Sequence, residues 1–541
     1  MIKIWKRVIC VLCILTMILS LAACGDSSKK SGGAVEIEEV VFPLKEEVSF
    51  TFMLSGSEST EFTKQIHENK LWKKLKEETN VNIDFQFLNG EGGDKLALMI
   101  TGGSYGDVLW GGPVLTSTLS SKYIASGTFV PLTDYVNDKK LMPNLNAHIQ
   151  ENSEYVNMVT ATDGEIYAIP KITALDGNYL ESPIWINKAW LDKLGLAVPT
   201  TIEDFIKVLE AFRDKDPNGN GVKDEIPYIA STSQEGSYAH TEALLGLFGI
   251  ATKGGETDSF IMVEDGKVKF APAMEGYKDA MKFMNKLYKD GLMWSECFTA
   301  SSSDFQAKMS AKTCVVGCFT AKEPDATDYA DDYVCIAPPK VEGYDAKFYL
   351  NPYYNGAKNL FYVTNKCKNV NVLMAWVDKL FELDNAIAYD YGMPEEGRVT
   401  YENGKYTILE LDYKDKAKID EQYPTLDSLF GSGVRGISKD NFDNNIILGS
   451  TWQTMQDNFA IYEPYVHKEV WPRPYYYAED AYDADVYCTD LLYQVESHRG
   501  KWITGSLDID KTWDDYIQTL EKIGLQKYLD ILQKAYDAQI D

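Results

Sequence analysis

The chain has 541 residues, a formal net charge of −28 and 45% hydrophobic residues. It exceeds the roughly 100–200 residues of a single domain, and its apolar content is sufficient for two or three folded cores. The strong acidity argues against nucleic acids and anionic lipid surfaces as partners, because like charges repel.

The first residues carry the pattern of an export signal followed by a lipid anchor. The basic segment 3–7 precedes an apolar run that is shorter than the roughly 20 residues of a membrane-spanning helix. The segment Leu21-Ala22-Ala23-Cys24-Gly25 then resembles the lipobox of bacterial lipoproteins. This resemblance implies that residues 1–23 are a signal peptide and that Cys24 is acylated, with palmitate among the expected chains.

Residues 24–45 begin with small and polar side chains. Such residues cannot bury a core, so they predict a flexible tether. A lipoprotein with this tether would stand on the extracytoplasmic face of the cell membrane, and we expect the lipid to be its only membrane attachment.

The following residues alternate between strand-like and helix-like patterns. In chain order they predict a strand at 48–54, a helix at 62–78, a strand at 81–87, a helix at 94–101 and a strand at 107–110. This alternation is typical of a parallel sheet of the α/β class. An extended crossover is predicted at 167–170, and later helices at 189–196, 202–213, 274–290, 371–383 and 513–541, the last with a break at Gly524.

Six cysteines lie beyond the signal and the anchor: Cys297, Cys314, Cys318, Cys335, Cys367 and Cys488. They are scattered rather than in close metal-ligand pairs. Export permits disulfides among them, whereas a chain of this size can bury free thiols without needing cross-links. The sequence leaves both states open.

Several segments, in order along the chain, resemble the extracellular solute-binding proteins of the maltose-binding type. The similar branch is the long lipoproteins that include alginate-oligosaccharide binders. The segments that carry the resemblance are 102–108, 163–170, 185–188, 190–195, 199–201, 287–292, 502–505, 513–516, 524–525 and 535–537.

This family resemblance implies a two-lobed periplasmic-binding-protein-like fold of type II, in the α/β class. The lobes would be discontinuous in sequence and would close on a ligand around a hinge. We expect 46–168 and 335–395 in the first lobe, and 169–334 and 396–541 in the second. The implied function is that of a monomeric substrate-binding protein that hands a carbohydrate to the permease subunits of an ABC importer.

An acidic, glycine-rich turn follows the helix predicted at 202–213, and its alternating Asp and Asn side chains offer the oxygen ligands that calcium prefers. One register runs from Asp214 to Glu225 and fits the EF-hand string. The other register comprises Asp216, Asn218, Asn220, the Val222 carbonyl, Asp224 and Glu225. The alginate binders resemble the second, which also uses Asp224, and we expect a structural calcium ion there.

Aromatic residues make up 12% of the chain and include 34 tyrosines. Aromatic planes stack on the apolar faces of sugars, so tryptophans at strand ends or in polar runs are candidate ligand contacts. The candidates are Trp110, Trp294 and Trp452, together with Arg435, which is flanked by glycines. Four other tryptophans lie on apolar helical faces and are expected in cores: Trp72, Trp190, Trp376 and Trp513.

Catalytic motifs are nearly absent. Gly102-x-Ser104-x-Gly106 matches a nucleophile-elbow string, but a predicted helix precedes it and a strand follows, the reverse of a true elbow. We therefore expect a binding protein rather than an enzyme, with a neutral oligosaccharide as ligand because the chain is acidic. The alternatives are an exported glycan-active enzyme with paired carboxylates and a receptor that feeds a sensor kinase.

Overall fold

The computed structural model describes residues 37–55, 59–88, 92–110, 115, 117–173, 179–180, 183–233, 239–252, 260–322, 324, 327–351, 361–411, 413–430 and 433–540. The predicted signal peptide, Cys24 and most of the tether lie outside this range. Residues Glu39–Asp541 form one compact unit.

The described part of this unit contains both strands and helices. The strands are β1 (Val48–Ser55), β2 (Val81–Leu88), β3 (Val108–Trp110), β4 (Ile172–Thr173), β5 (Tyr179–Leu180), β6 (Ile184–Asn187), β7 (Ile261–Glu264), β8 (Lys267–Phe270), β9 (Cys318–Thr320), β10 (Tyr333–Ile336), β11 (Leu350–Asn351), β12 (Phe361–Val363), β13 (Val399–Glu402), β14 (Lys405–Ile408), β15 (Gly436–Ile437) and β16 (Ile446–Ile447). The helices are α1 (Thr60–Glu68), α2 (Lys70–Thr79), α3 (Gly92–Gly102), α4 (Ser117–Ala125), α5 (Thr133–Asn137), α6 (Pro143–Glu151), α7 (Glu154–Asn157), α8 (Lys188–Leu194), α9 (Ile202–Asp214), α10 (Glu275–Lys289), α11 (Ser302–Met309), α12 (Val370–Asp378), α13 (Leu383–Tyr391), α14 (Tyr413–Gln422), α15 (Leu426–Phe430), α16 (Lys439–Asn445), α17 (Ser450–Tyr462), α18 (Ala478–Thr504), α19 (Ile509–Ile523) and α20 (Leu525–Ile540).

The first sheet has the strand order β12-β3-β1-β2. β1 is parallel to β2 and to β3, which confirms the parallel arrangement predicted from the opening alternation, and β12 pairs antiparallel with β3. Phe50, Phe52 and Leu54 alternate along β1 and are all buried. Because β1, β2 and β3 are parallel, their carboxyl ends lie at one edge of the sheet, where α/β proteins bind ligands.

The single helix predicted at 62–78 is two helices, α1 and α2, which meet at Asn69. The backbone of Asn69 is extended, with φ −60° and ψ 129°, so the helix is interrupted there. The Asn69 side chain accepts a hydrogen bond from the Trp72 amide at 3.0 Å and caps α2. The apolar spacing continued across the break, which is why the sequence pattern concealed it.

The second sheet has the order β10-β6-β9, with both pairings antiparallel. It lies in a core that draws its buried residues from the ranges 184–348 and 462–536. β10 contains Cys335, so the lobe boundary expected at 335 falls inside a strand of the second sheet.

Part of the range Val399 to Ile446, which is expected in the second lobe, lies beside the first sheet and α13 in the structure. Val399 and Tyr406 pack against Ala386 and Ile387 of α13. Phe430 of α15 lies against Trp72, Phe85 and Trp110. The Val399 and Tyr406 side chains are buried against α13, and that packing fixes where they lie. The periodicity of the segment itself does not predict this contact.

Two backbone contacts join the crossover predicted at 167–170 to β12. Ala168 forms an isolated bridge with Tyr362, and the Ile169 amide donates to the Phe361 carbonyl at 3.1 Å. β4 follows and pairs in parallel with β15.

Among the described residues, no helix combines the length and the apolar character needed to cross a membrane.

Candidate functional site

Trp110 ends β3 at the edge of the first sheet where the parallel strands have their carboxyl ends, and it is 0% exposed. Its ring stacks on Phe430, with centroids 5.0 Å apart and an interplanar angle of 18°. The rings of Phe52, Phe361 and Trp376 meet it edge-on. In this conformation the indole has no exposed face for a sugar, and its N–H has no hydrogen-bond partner.

Arg435, at 2% exposure, joins two carboxylates beside Trp110. Its Nη2 forms an ion pair with Asp390 and lies 3.2 Å from Asp427 Oδ1. Its Nη1 donates to the Gly433 carbonyl at 2.9 Å. The guanidinium carbon lies 4.9 Å from the ring centroid of Tyr389. Arg435 therefore positions its neighbours and is itself covered.

Tyr389 is fully buried, and burial, followed by the Asp427 and Asp390 carboxylates, raises the pKa of its phenol against the opposing effect of Arg435. The Gly433 backbone amide faces this hydroxyl and lowers the pKa of the phenol, the smallest of these effects, and the hydroxyl proton has no acceptor. A Cβ on Gly433 would collide with this hydroxyl and stand 3.1 Å from Trp110 Nε1. Two polar donors therefore converge on one glycine.

We call Trp110, Tyr389, Asp390, Asp427, Gly433 and Arg435 the first-lobe cluster. The sequence had singled out Trp110 and Arg435 as ligand contacts, and the structure brings them together through Gly433. It did not single out Tyr389, Asp390 or Asp427, which come from α13 and α15. The glycines around Arg435 were the only local signal of this arrangement.

The other two candidate contacts lie elsewhere. Trp294 belongs to the second core, where its ring meets Phe305 at 6.2 Å and its amide donates to the Tyr228 carbonyl at 3.0 Å. The side chain of Trp452, on α17, is outside the described part of the chain. The four tryptophans predicted as core are confirmed as buried: Trp72, Trp190, Trp376 and Trp513.

The acidic turn after α9 is held by its own side chains. The Asp216 carboxylate accepts from the amides of Gly219 at 2.9 Å and Gly221 at 3.1 Å. Asn218 Nδ2 and Asn220 Nδ2 donate to the Asp224 carboxylate, each at 3.0 Å. The two side-chain amides thus partly neutralise the charge of Asp224.

Glu225 adds an oxygen without a partner to this turn. Its Oε1 is buried and unbonded, and the pKa of its carboxyl is raised by burial and then by Asp224 and Asp216. Asp214 instead forms an ion pair with Arg213 at 2.8 Å. Asp214, the first residue of the EF-hand register, is therefore engaged with its neighbour in the chain. The described residues hold no cluster of three or more His, Cys, Asp or Glu side chains suited to a metal, so amide and carbonyl oxygens would have to complete the site.

All six cysteines beyond the anchor are free thiols: Cys297, Cys314, Cys318, Cys335, Cys367 and Cys488. Burial raises the pKa of Cys297 and of Cys335 to about 12, which leaves both thiols protonated at neutral pH.

The Gly102–Gly106 segment joins α3 to β3, so a helix precedes Ser104 and a strand follows, as predicted. A Cβ on Gly106 would stand 2.6 Å from the Thr51 carbonyl oxygen. The Thr51 amide in turn donates to Asp107 at 2.8 Å. This segment therefore serves close packing against β1.

Comparison with known proteins identifies the family. The family described as bacterial extracellular solute-binding protein matches residues 56–387. The fructooligosaccharide ABC transporter substrate-binding protein FusA of Streptococcus pneumoniae serotype 4 is 30% identical, with 96% of this chain and 95% of FusA covered.

Solved structures agree with this match. FusA in complex with kestose has a TM-score of 0.74 at 26% identity and covers 90% of this chain and 99% of its own. A FusA EF-hand mutant in complex with fructo-nystose has the same values. An extracellular solute-binding protein from Bifidobacterium longum subsp. infantis has a TM-score of 0.75 at 23% identity, covers 92% of this chain and 99% of its own, and shares the fold.

These relatives have two lobes, and the likeness confirms the two-lobed α/β fold that the resemblance implied. The chain belongs to the family of bacterial extracellular solute-binding proteins.

Proposed function

We propose that the protein captures a neutral oligosaccharide of the fructooligosaccharide class and hands it, as a monomer, to the permease subunits of an ABC importer. The observation that carries this proposal is the 30% identity to FusA over 96% of the chain. The first-lobe cluster supports a neutral ligand, because the Arg435 guanidinium is already paired with two carboxylates. It offers no excess cation to an anionic sugar.

Capture would occur between the two sheets, at the carboxyl ends of the parallel strands. Trp110 and Arg435 are proposed to act from the first lobe, with Trp110 contributing its N–H rather than a ring face. Trp294 and Trp452 are proposed contacts from the remaining chain. Closure of two lobes buries most of a bound sugar and excludes water from its hydroxyls.

Isothermal titration calorimetry of the purified mature chain with kestose tests this proposal. We expect saturable binding, and chromatography of the sugar afterwards should find it intact. Alginate and polygalacturonan oligosaccharides serve as anionic comparisons. Hydrolysis products would support an exported enzyme, and tight binding of the anionic sugars alone would contradict the proposed ligand class.

We further propose that the loop Asp216–Glu225 holds a structural calcium ion through Asp216, Asn218, Asn220, the Val222 carbonyl, Asp224 and Glu225. The unbonded Glu225 oxygen and the oxygen-only donor set fit a hard cation. The EF-hand named in the FusA mutant supports a cation site in a relative of this chain.

Attachment to the cell surface through a lipid on Cys24 is also proposed, on the lipobox pattern of residues 21–25. Replacement of Cys24 by Ser should move the protein from the membrane fraction to the medium. A Cys24→Ser protein that sediments with membranes as completely as the parent would refute the anchor.

A further inference from the structure

The starting observation is a pair of buried donors without acceptors. The indole N–H of Trp110 and the hydroxyl proton of Tyr389 both lack an acceptor, although both side chains are fully buried. Buried donors are nearly always satisfied, because leaving one without a partner forfeits the hydrogen bond it made with water. Two such donors within 3.1 Å of the same point, the Cβ position of Gly433, are an arrangement that needs an explanation.

An acceptor of small size would satisfy both donors. A sugar hydroxyl oxygen has two lone pairs and can accept from an N–H and an O–H together. Gly433 lies against the two donors and carries no side chain of its own. A shift of this peptide by about 3 Å, one hydrogen-bond length, would admit a hydroxyl.

The cluster also provides an acceptor for the hydroxyl proton. Asp427 is 43% exposed, although one of its oxygens lies 3.2 Å from Arg435 Nη2. The buried guanidinium holds the carboxylate in place, and its exposed part remains available to solvent or a ligand. Asp390 lies on the inner side, with 11% of its side chain exposed, and fixes Arg435.

We propose that Tyr389, Trp110 and Asp427 form a hydroxyl-binding subsite of the first lobe, in which the ligand displaces Gly433, and that Arg435 and Asp390 are positioning residues for it. This subsite rests on the proposed sugar-binding function, and it names the residues that would form hydrogen bonds with the sugar hydroxyls. The subsite binds through two donors and one carboxylate, and not through a stacked ring.

The chain offers a matched control for each variant. Tyr516 is also fully buried with an unbonded hydroxyl, but it belongs to α19 in the second core. Asp420 is 47% exposed and is likewise paired with a buried arginine, Arg398, at 2.9 Å. Tyr516→Phe and Asp420→Asn therefore reproduce the chemical change of Tyr389→Phe and Asp427→Asn outside the subsite.

The test is calorimetric titration of kestose into the mature chain and into these four variants, with thermal melts of each. We expect Tyr389→Phe to bind kestose about 10-fold more weakly while melting no lower than wild type, since the change removes an unsatisfied group. Asp427→Asn should weaken binding about 5- to 10-fold. The two controls should bind within twofold of wild type.

Each outcome bears on the proposal. Wild-type affinity in both subsite variants, or equal losses in the variants and their controls, would overturn the subsite and leave the sugar-binding function intact. A wild-type chain that binds no sugar in a broad glycan panel would overturn the proposed function and the subsite with it. Selective loss in Tyr389→Phe and Asp427→Asn supports the assignment.

Discussion

The loop Asp216–Glu225 and the first-lobe cluster both gather carboxylates, but they neutralise them differently. In the cluster, Asp390 and Asp427 share the buried guanidinium of Arg435. In the loop, Asp216 and Asp224 are met by backbone and side-chain amides, which carry only partial charge. One site contains its own cation, and the other has an excess of negative charge.

This difference bears on what each region can bind. A carboxylate that already has a buried cationic partner is fixed in place and can still accept hydrogen bonds from neutral groups. Carboxylates without such a partner favour a hard cation, which supplies the missing charge. The same residue types therefore lead to two different proposals, a hydroxyl-binding subsite in the first-lobe cluster and a cation site in the loop.

Removal of the Arg435 guanidinium should have the largest effect on the free energy of unfolding. Arg435→Met keeps the length of the side chain but leaves the mostly buried Asp390 without its ion pair. Breaking a buried pair in this way typically costs about 3–5 kcal/mol. We expect a loss of this size in the free energy of unfolding, measured by urea denaturation.

Arg213→Met is the matched control, because Arg213 pairs with Asp214 where both side chains are solvent-accessible. Exposed pairs contribute about 0–1 kcal/mol, so this variant should be nearly neutral. Similar losses in the two variants would mean that Arg435 adds no more to stability than a surface arginine, and the contrast between the two regions would fail.

Removal of calcium should have the next largest effect. A ligand that binds only the folded state adds about 2.7 kcal/mol to stability at 100 times its dissociation constant. We therefore expect EGTA to lower the melting temperature of the wild type measurably, and calcium to restore it. Asp224→Asn should abolish this calcium response, whereas Asp214→Asn should keep it, because Asp214 is bound to Arg213. A response lost in Asp214→Asn but kept in Asp224→Asn would assign the other register.

The two regions also differ in how far the sequence could predict them. The proposed ligands of the loop lie within ten consecutive residues, and the alternation of Asp, Asn and Gly is itself the signal. The first-lobe cluster draws on β3, α13, α15 and the segment before β15, more than 300 positions apart in sequence. No local pattern marks Tyr389 or Asp427, because their roles depend on which side chains tertiary packing brings to them.

The same distinction holds for the fold. The alternation of strands and helices predicted the parallel sheet of β1, β2 and β3, since each element is defined by its own periodicity. Apolar spacing continues through Asn69, so the sequence pattern predicts one helix where the structure has two. The position of residues between Val399 and Ile446 depends on their packing against α13. The sequence pattern within this range does not show which other element it will pack against.

Acidification should have the smallest effect on the free energy of unfolding. It acts through His148, which lies near β15 and the first-lobe cluster. His148 is buried on α6, and a Cβ on Gly436 of β15 would stand 2.7 Å from its Nε2. Burial lowers the pKa of His148, against smaller opposing effects of the Phe381 carbonyl and Glu151.

The sign of the pH effect follows from this shift. Above the unfolded pKa of about 6.5, the imidazole is neutral in both states and stability is full. As the pH falls below that value, the unfolded chain takes up a proton that the buried ring resists, so the free energy of unfolding decreases, by at most about 1.4 kcal/mol per pH unit. We expect urea midpoints measured from pH 7.5 to 5.5 to fall less steeply in His148→Gln than in the wild type. His67→Gln, at an exposed position of α1, is the control and should follow the wild type. Parallel pH profiles for the wild type and His148→Gln would show that the proton linkage lies in other groups.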